Sequence, residues 1–477
     1  MVSPMTARNS VCMPEPMNAA PVVSSVARAL QAARETRGLE LGPAALGRTP
    51  QVFRQFFPGK PALIVADTTT FAVAGQQVLV ALRGAGCACR EPFVYADPNL
   101  YAEHKHVLAL EAALEGNDAI PVAAGSGTIN DLTKLASHRT GRRYLSVATA
   151  ASMDGYTAFG ASITYNGSKQ TFACPAPLAL VADLDVIAAA PREMTASGYA
   201  DLLAKSTAGA DWLVADALGV EAIHAEAWSI VQGDLREAVS NPARLQEGDG
   251  AAVRRLTEGL ILGGFAMQAA QSSRPASGAE HQFSHLWDMQ HHTHCGEAPW
   301  HGFKVGIGTL AVAALYERLL TLPLHELDVD ACCARWPDQS AHEQMVHAAF
   351  GGSDVVAVAL RESRAKWVDS AALRKQLERL RGVWPGLRER LRQQLFPFTR
   401  IKEMLQAAGA PTEPEQIGIS RQRLRESFRQ AYFLRRRFTI LDLVVRTGTL
   451  DGSLEQLFCP GGPWPLESAN VRAPGHA

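Results

Sequence analysis

The sequence predicts an α/β protein with an all-α continuation: an N-terminal, doubly wound parallel sheet that binds a nucleotide, followed by a helical second half. Three observations predict this. Short apolar runs alternate with helical stretches between about residues 62 and 150, the pattern of strands joined by crossover helices. Strand-like runs vanish beyond about Pro191. A glycine turn, GSGTINDLTK (residues 125–134), links one apolar run to a helical one, and ligands of such sheets sit at the carboxyl ends of the strands.

Taken in order, SSVARALQAARETRG (24–38) reads as a helix with a serine cap. ALIVAD is a buried strand, FAVAGQQVLVALRGAG a helix ending in glycine, PFVYAD a strand and YAEHKHVLALEAALEG a helix. AIPVAAG is the next strand, the glycine turn opens a helix near Ile129, and YLSVATA is a further strand. TASGYADLLAKSTAGADWLVADALG and RRLTEGLILGGFAMQAAQ are then helical, and helices with Pro and Gly breaks run to about Phe458. The expected domains are a disordered tail at 1–23, an α/β domain holding the glycine turn at 24–190, a helical domain at 191–460 and a flexible tail at 461–477.

The bulk properties narrow the function. At 477 residues the chain is long enough for two domains. Its net charge of −1 and mean hydropathy of −0.04 describe a globular protein with large cores. No stretch reaches 18 apolar residues, so no membrane insertion is expected. The stretch 361–402 is arginine-rich, but interleaved acids make it an amphipathic bundle rather than a nucleic-acid face. Eight cysteines show no CxxC pair or secreted framework, so free thiols in a reducing cytoplasm are expected; Cys332 and Cys333 read as neighbours on a helix.

The glycine turn suits a phosphate. Gly125 and Gly127 let backbone approach closely, and the following helix offers unpaired N–H groups and a positive dipole end. It resembles GxGxxG with Asn130 in place of the third glycine. Such turns also occur as mere sharp connections. Thr149 and Ser152, at the end of the next strand, are placed to line a cofactor cleft. Asp67 ends the first strand, where it either accepts ribose hydroxyls or simply shapes a turn.

Six of the 14 histidines fall between residues 278 and 308. A catalytic zinc-type site takes three protein ligands and leaves a position open. His281 and His285 are spaced i, i+4, one face of a helix; HQFSH lacks the glutamate of HExxH, which excludes a zincin protease. His301 precedes a helical run. His291, His292 and His294, beside Cys295, read as loop residues. Asp201 either ligates or forms an i, i+4 pair with Lys205 on a solvated face.

GSGTINDLTK, TAASMDGY, DLDV, GYADLLAK, SRPASGAEHQFSH and HGFKVGIGT, in this order, resemble the successive motifs of the glycerol-1-phosphate dehydrogenase family. That family belongs to the dehydroquinate synthase-like, metal-dependent alcohol dehydrogenase superfamily. The segment IKEMLQAAGAPTEPEQIGISRQRLRESF and the later RRRFTILDLV resemble its bacterial branch, and the similarity spans about residues 60–445. The resemblance implies a dehydroquinate synthase-like fold, with Asp201, His281 and His301 as ligands of one divalent ion, zinc or nickel. It implies Asp154, Asp201 and His285 at the substrate. It implies Gly127, Thr128, Ile129, Asn130, Asp131, Thr149, Ala150, Ala151, Ser152 and Asp67 at the dinucleotide, and Ala158 where the family often carries a serine near the nicotinamide.

The reaction so implied is the reversible, NAD(H)- or NADP(H)-linked reduction of dihydroxyacetone phosphate, a small phosphorylated triose, to sn-glycerol 1-phosphate. The alternatives are a polyol dehydrogenase of the same fold and a dehydroquinate synthase-like lyase. A cytoplasmic homodimer acting in phospholipid metabolism is expected. His285 is placed to orient a hydroxyl or relay a proton, or else to support the metal site. Lys205 and arginines 435–437, Arg437 among them, are candidates for holding the substrate phosphate, although a solvated arginine face is the plainer reading of the triplet.

Overall fold

The computed structural model describes residues 24–165 and 168–466. The expected tail at 1–23 and positions 467–477 lie outside these. Six strands form one parallel sheet: β1 (Gly38–Gly42), β2 (Ala62–Asp67), β3 (Phe93–Tyr95), β4 (Ile120–Gly125), β5 (Leu145–Ala148) and, after a hairpin, β8 (Ala179–Asp183). Their order is β1-β8-β5-β4-β2-β3. The hairpin, β6 (Ala161–Tyr165) with β7 (Ser168–Phe172), is antiparallel and separate from the sheet.

β4 is buried along its whole length, and β2 everywhere but Asp67, as a parallel sheet covered on both faces requires. The chain leaves β2 to form β3 on one side, then crosses back to form β4 on the other. That reversal opens a crevice beyond the carboxyl ends of β2 and β4, at Asp67 and Gly125.

Seven helices position the site: α1 (Gly127–Arg139), α2 (Arg192–Leu203), α3 (Lys205–Ala217), α4 (Gly250–Ala270), α5 (Ala279–Met289), α6 (His301–Leu319) and α7 (Arg421–Tyr432). No strand follows Asp183 among the described residues. α2 is buried on all sides from Thr195 to Leu203, and α6 nearly so from Lys304 to Tyr316, which marks interior helices. While α1 packs Ile129, Leu132, Leu135 and Ala136 in a separate core, one large apolar core unites α2 to α7 with Ala148, Leu180 and Ala182 of the sheet. The helix Ser25–Ala32 contributes Val26 and Ala29 to that same core and takes Ser24 as its cap.

The strands expected at ALIVAD (62–67), PFVYAD (92–97), AIPVAAG (119–125) and YLSVATA (144–150) are present as β2, β3, β4 and β5, the last three shorter than expected. β1, the hairpin and β8 were not anticipated. β1 is a five-residue edge strand bounded by glycines and half-exposed in its middle, so it lacks an apolar run. The hairpin does carry a local signal, the Asn166-Gly167 dipeptide between two stretches rich in β-branched and aromatic residues.

Candidate metal centre and dinucleotide cleft

The turn after β4 builds one wall of a cleft of about 580 Å³. α1 starts at Gly127, two residues earlier than expected, and Ser126 at its cap position makes no side-chain capping bond. The first N–H groups of α1 are thus left for a ligand. Ser126, Gly127, Thr128 and Asp131 line the cleft, with Ser152, Asp154 and Ala158 from the segment after β5.

The other expected dinucleotide residues lie beneath this surface. Ile129, Thr149, Ala150 and Ala151 are buried, and the Ala150 carbonyl accepts the Tyr156 hydroxyl at 2.8 Å. Asn130 is turned inward. Its amide donates to Gly155 O at 3.1 Å, and its carbonyl accepts the Tyr144 and Ser146 hydroxyls, each at 3.1 Å. Asp67 accepts Thr70 N–H at 2.8 Å while its own N–H donates to the Thr70 hydroxyl at 3.1 Å, a reciprocal cap, and it is not among the residues that line the cleft.

Lys134, buried on α1, fixes the segment carrying Asp154 and Ala158. Its ammonium donates to the carbonyls of Gly155, Ala158 and Gly160 at 3.1, 3.0 and 2.9 Å, with the Asp131 carboxylate 3.4 Å away. Asp131 also accepts Ser162 N–H at 3.1 Å.

The opposite wall holds the histidines. Asp201 lies on α2, His281 in the first turn of α5, and His301 opens α6. One ligand atom of each lies within 4.8 Å of the others. Asp201 Oδ1 and His281 Nε2 are 3.4 Å apart, and the rings of His281 and His301 have centroids at 5.5 Å. The approach is close because α6 carries glycine at its second position: a Cβ on Gly302 would lie 1.8 Å from Ser197 O. The Ser197 hydroxyl accepts Gly302 N–H at 3.0 Å and donates to Ser152 O at 3.1 Å. One serine thus ties α2 to α6 and to the cofactor-side segment.

Charges in this wall are arranged in pairs. The Lys205 ammonium, fully buried, lies 2.7 Å from Asp201 Oδ1 and 2.7 Å from Asp154 Oδ2. The expected i, i+4 pair exists, but inside the protein and not on a solvated face. A phosphate role for Lys205 is accordingly corrected, since both flanking carboxylates already claim its charge. Burial opposes ionisation of Asp201, but Lys205 and the two imidazoles outweigh it and hold the carboxyl well below its usual range. Burial, with the Asp201 charge, pushes Asp154 up. Burial lowers His301 to about 3, so this ring is neutral at physiological pH, the form a metal ligand needs. The buried Nδ1 atoms of His285 and His301 have no hydrogen-bond partner.

Sequence reasoning passed over three groups here. Asp288 on α5 is paired with Lys169 of β7 at 3.2 Å and with Lys304 of α6, and these ammonium groups hold it near a pKa of about 2 against burial. Lys169, Lys304 and Arg435 all line the cleft. Arg435 approaches His285 Nε2 at 3.0 Å; burial, then this guanidinium, keeps His285 neutral. Arg437 instead donates to Ser277 O and to the Ser273 hydroxyl, and Arg436 pairs with Glu362 at the surface. Asp288 and Lys304 carried a sequence signal, each three residues after a candidate histidine on the same helix; Lys169 carried none.

The loop histidines stay outside the ligand group. His292 contacts Ile417 O and Arg423, and His294 forms a backbone bridge with Glu297. Cys295 is exposed with φ 53°. Among the described residues, Asp201, His281 and His301 are the only set grouped closely enough to hold a metal ion.

The fold and this site define a class, the NAD(P)-linked oxidoreductases of the metal-dependent alcohol dehydrogenase type. Residues 40–191 match the model of the iron-containing alcohol dehydrogenase family. A probable glycerol dehydrogenase from Sinorhizobium meliloti shares the fold, with a TM-score of 0.55 and 14% identity over 88% of this chain and 98% of that one. The glycerol-1-phosphate dehydrogenase [NAD(P)+] of Halalkalibacterium halodurans is 37% identical over 58% of this chain and 70% of its own length. The Geobacillus stearothermophilus enzyme of that name is 30% identical over 79% and 85%. The chain belongs to the glycerol-1-phosphate dehydrogenase family.

Proposed function

We propose that this chain reduces dihydroxyacetone phosphate to sn-glycerol 1-phosphate, reversibly, with NADH or NADPH and one divalent ion, zinc or nickel, held by Asp201, His281 and His301. The carrying observation is the convergence of these three side chains, from three helices, with His281 and His301 lining a cleft that ends on the uncapped turn of α1 and Asp201 buried behind them. Two imidazoles and a carboxylate are a fitting donor set for either metal. A bound ion supplies Lewis-acid polarisation of the carbonyl, and the nicotinamide supplies the hydride.

The chain's own groups do the rest. The uncapped N–H groups at Gly127 and Thr128 suit the dinucleotide pyrophosphate. Lys205 holds Asp154 and Asp201 in register, so that the carboxylate beside the substrate moves with the ligand. His285, neutral and one turn from His281, is placed to hydrogen-bond a substrate hydroxyl. Lys169 and Lys304 pair with Asp288, and Arg435 approaches His285, all three cations lining the cleft; such a group of cations suits a phosphate. It supports a phosphorylated triose over a free polyol, and of the arginines 435–437 it is Arg435 that lines the cleft. Seven free cysteines among the described residues support a reducing, cytoplasmic setting.

Oxidation of reduced nicotinamide, followed by absorbance across triose and sugar ketones with and without phosphate, tests the reading. Stoichiometric cofactor oxidation with preference for the phosphorylated triose is expected. Equal rates on the unphosphorylated ketone point to the polyol reaction, and turnover without net cofactor oxidation points to a lyase.

A further inference from the structure

Glu280 directly precedes His281 and is fully buried at the start of α5. Neighbouring side chains on a helix ordinarily diverge, yet Glu280 Oε1 lies 2.8 Å from His281 Nδ1. The contact depends on a space left beside it. A Cβ on Gly278 would stand 2.8 Å from Glu280 Oε2 and 2.6 Å from Asp211 Oδ2. Gly278 N–H donates to Oε1 at 2.5 Å, and the single hydroxyl hydrogen of Thr207 on α3 is shared between Oε2 at 3.0 Å and Ala204 O at 2.9 Å.

A buried carboxylate is costly unless its oxygens are satisfied, and no lysine or arginine forms an ion pair with this one among the described residues. Its donors are one backbone N–H, one hydroxyl and the His281 ring. A proton held on Nδ1 by Glu280 leaves the Nε2 lone pair facing Asp201, and a carboxylate behind a ligating imidazole raises its basicity.

We propose that Glu280 is a positioning residue that locks His281 as the Nδ1–H tautomer and so strengthens divalent-ion binding, with Thr207 holding the Glu280 carboxylate in line. This rests on the metal reading above. The test is titration of full-length metal-free protein with zinc in competition with a chromogenic chelator, for wild type, Glu280→Gln, Glu280→Ala, Thr207→Val and His301→Ala.

For Glu280→Gln, zinc affinity is expected to fall roughly 10- to 100-fold, with at least as large a fall for Glu280→Ala. A smaller fall is expected for Thr207→Val, and an unchanged melting temperature for the metal-free Gln variant. The nitrogen chemical shifts of the His281 imidazole in labelled protein should report Nδ1 protonation in wild type and its loss in Glu280→Ala. If Glu280→Ala does not fold, the Gln and Val variants decide the matter. Wild-type affinity in both overturns the proposal while leaving the metal site intact. Zinc bound as tightly by His301→Ala as by wild type, or not at all by wild type, overturns the metal reading and this proposal together.

Discussion

Lys205 and Asp201 stand one helical turn apart, their side chains meet at 2.7 Å, and neither is exposed to solvent. The same ammonium reaches Asp154, so one lysine is shared by a proposed metal ligand and a proposed substrate contact. Two carboxylates and one ammonium leave a net negative charge in a buried place, which a divalent cation is suited to offset.

Replacing Lys205 by Met is therefore expected to strand two buried carboxylates. Loss of one partner of such a group costs about 3–5 kcal/mol. Urea unfolding of the metal-free variant should show a loss of this order, and added zinc should recover part of it. Unchanged stability would mean that the two carboxylates take up protons without cost.

Arg435 and Arg436 are adjacent but face different surroundings: the cleft beside His285, and Glu362 at the surface. Arg435→Ala should raise KM for the phosphorylated triose by roughly 10- to 100-fold, the scale of one or two charge-assisted hydrogen bonds. Its rate on free dihydroxyacetone should hardly change, and Arg436→Ala should behave as wild type. Steady-state kinetics on both ketones check this, and an equal loss on both removes the phosphate role.

The parallel strands β2, β4 and β5 are legible in the sequence, because a strand buried on both faces has to be apolar throughout; β8, equally buried, carries the same signal in ALVAD and was missed. β1 and the hairpin are less legible, since an edge strand and an isolated ribbon carry weaker patterns. The Asp201, His281 and His301 set came from family motifs; spacing alone left Asp201 undecided between ligand and surface pair. Lys169, Asp288 and Lys304 escaped because they come from separate elements: Asp288 and Lys304 each follow a candidate histidine by three residues, but nothing local announces that they meet Lys169. Arginines 435–437 are named together as candidates for the same reason: within RRR, only tertiary packing decides which guanidinium reaches the cleft.

Lys134 is expected to behave as a structural cation whose loss also disturbs the cleft. Lys134→Met leaves the carbonyls of Gly155, Ala158 and Gly160 without their donor, at about 1–3 kcal/mol for each buried group left unsatisfied. A clear drop in melting temperature, with a raised KM for the nicotinamide, is the expected result. A stable variant with unchanged KM contradicts it.

His342, buried beside Tyr432, has its pKa lowered to about 4 by burial and then by Lys366. Its ordinary value is near 6.5, so the native state disfavours the protonated ring. The neutral ring's contribution is complete above about pH 6.5 and is lost as pH falls toward 4, by up to about 3 kcal/mol. Stability measured from pH 7.5 to 4.5 should fall less steeply in His342→Gln than in wild type. Parallel slopes would show that the ring accepts its proton at no cost.

The most direct measurement is anomalous diffraction from crystals of the active, metal-loaded enzyme, collected on either side of the absorption edge of its ion. The expected result is one strong peak about 2.0–2.2 Å from an Asp201 carboxylate oxygen, His281 Nε2 and a His301 ring nitrogen. A fully active crystal with no peak there, or with its ion held by other residues, would contradict the account.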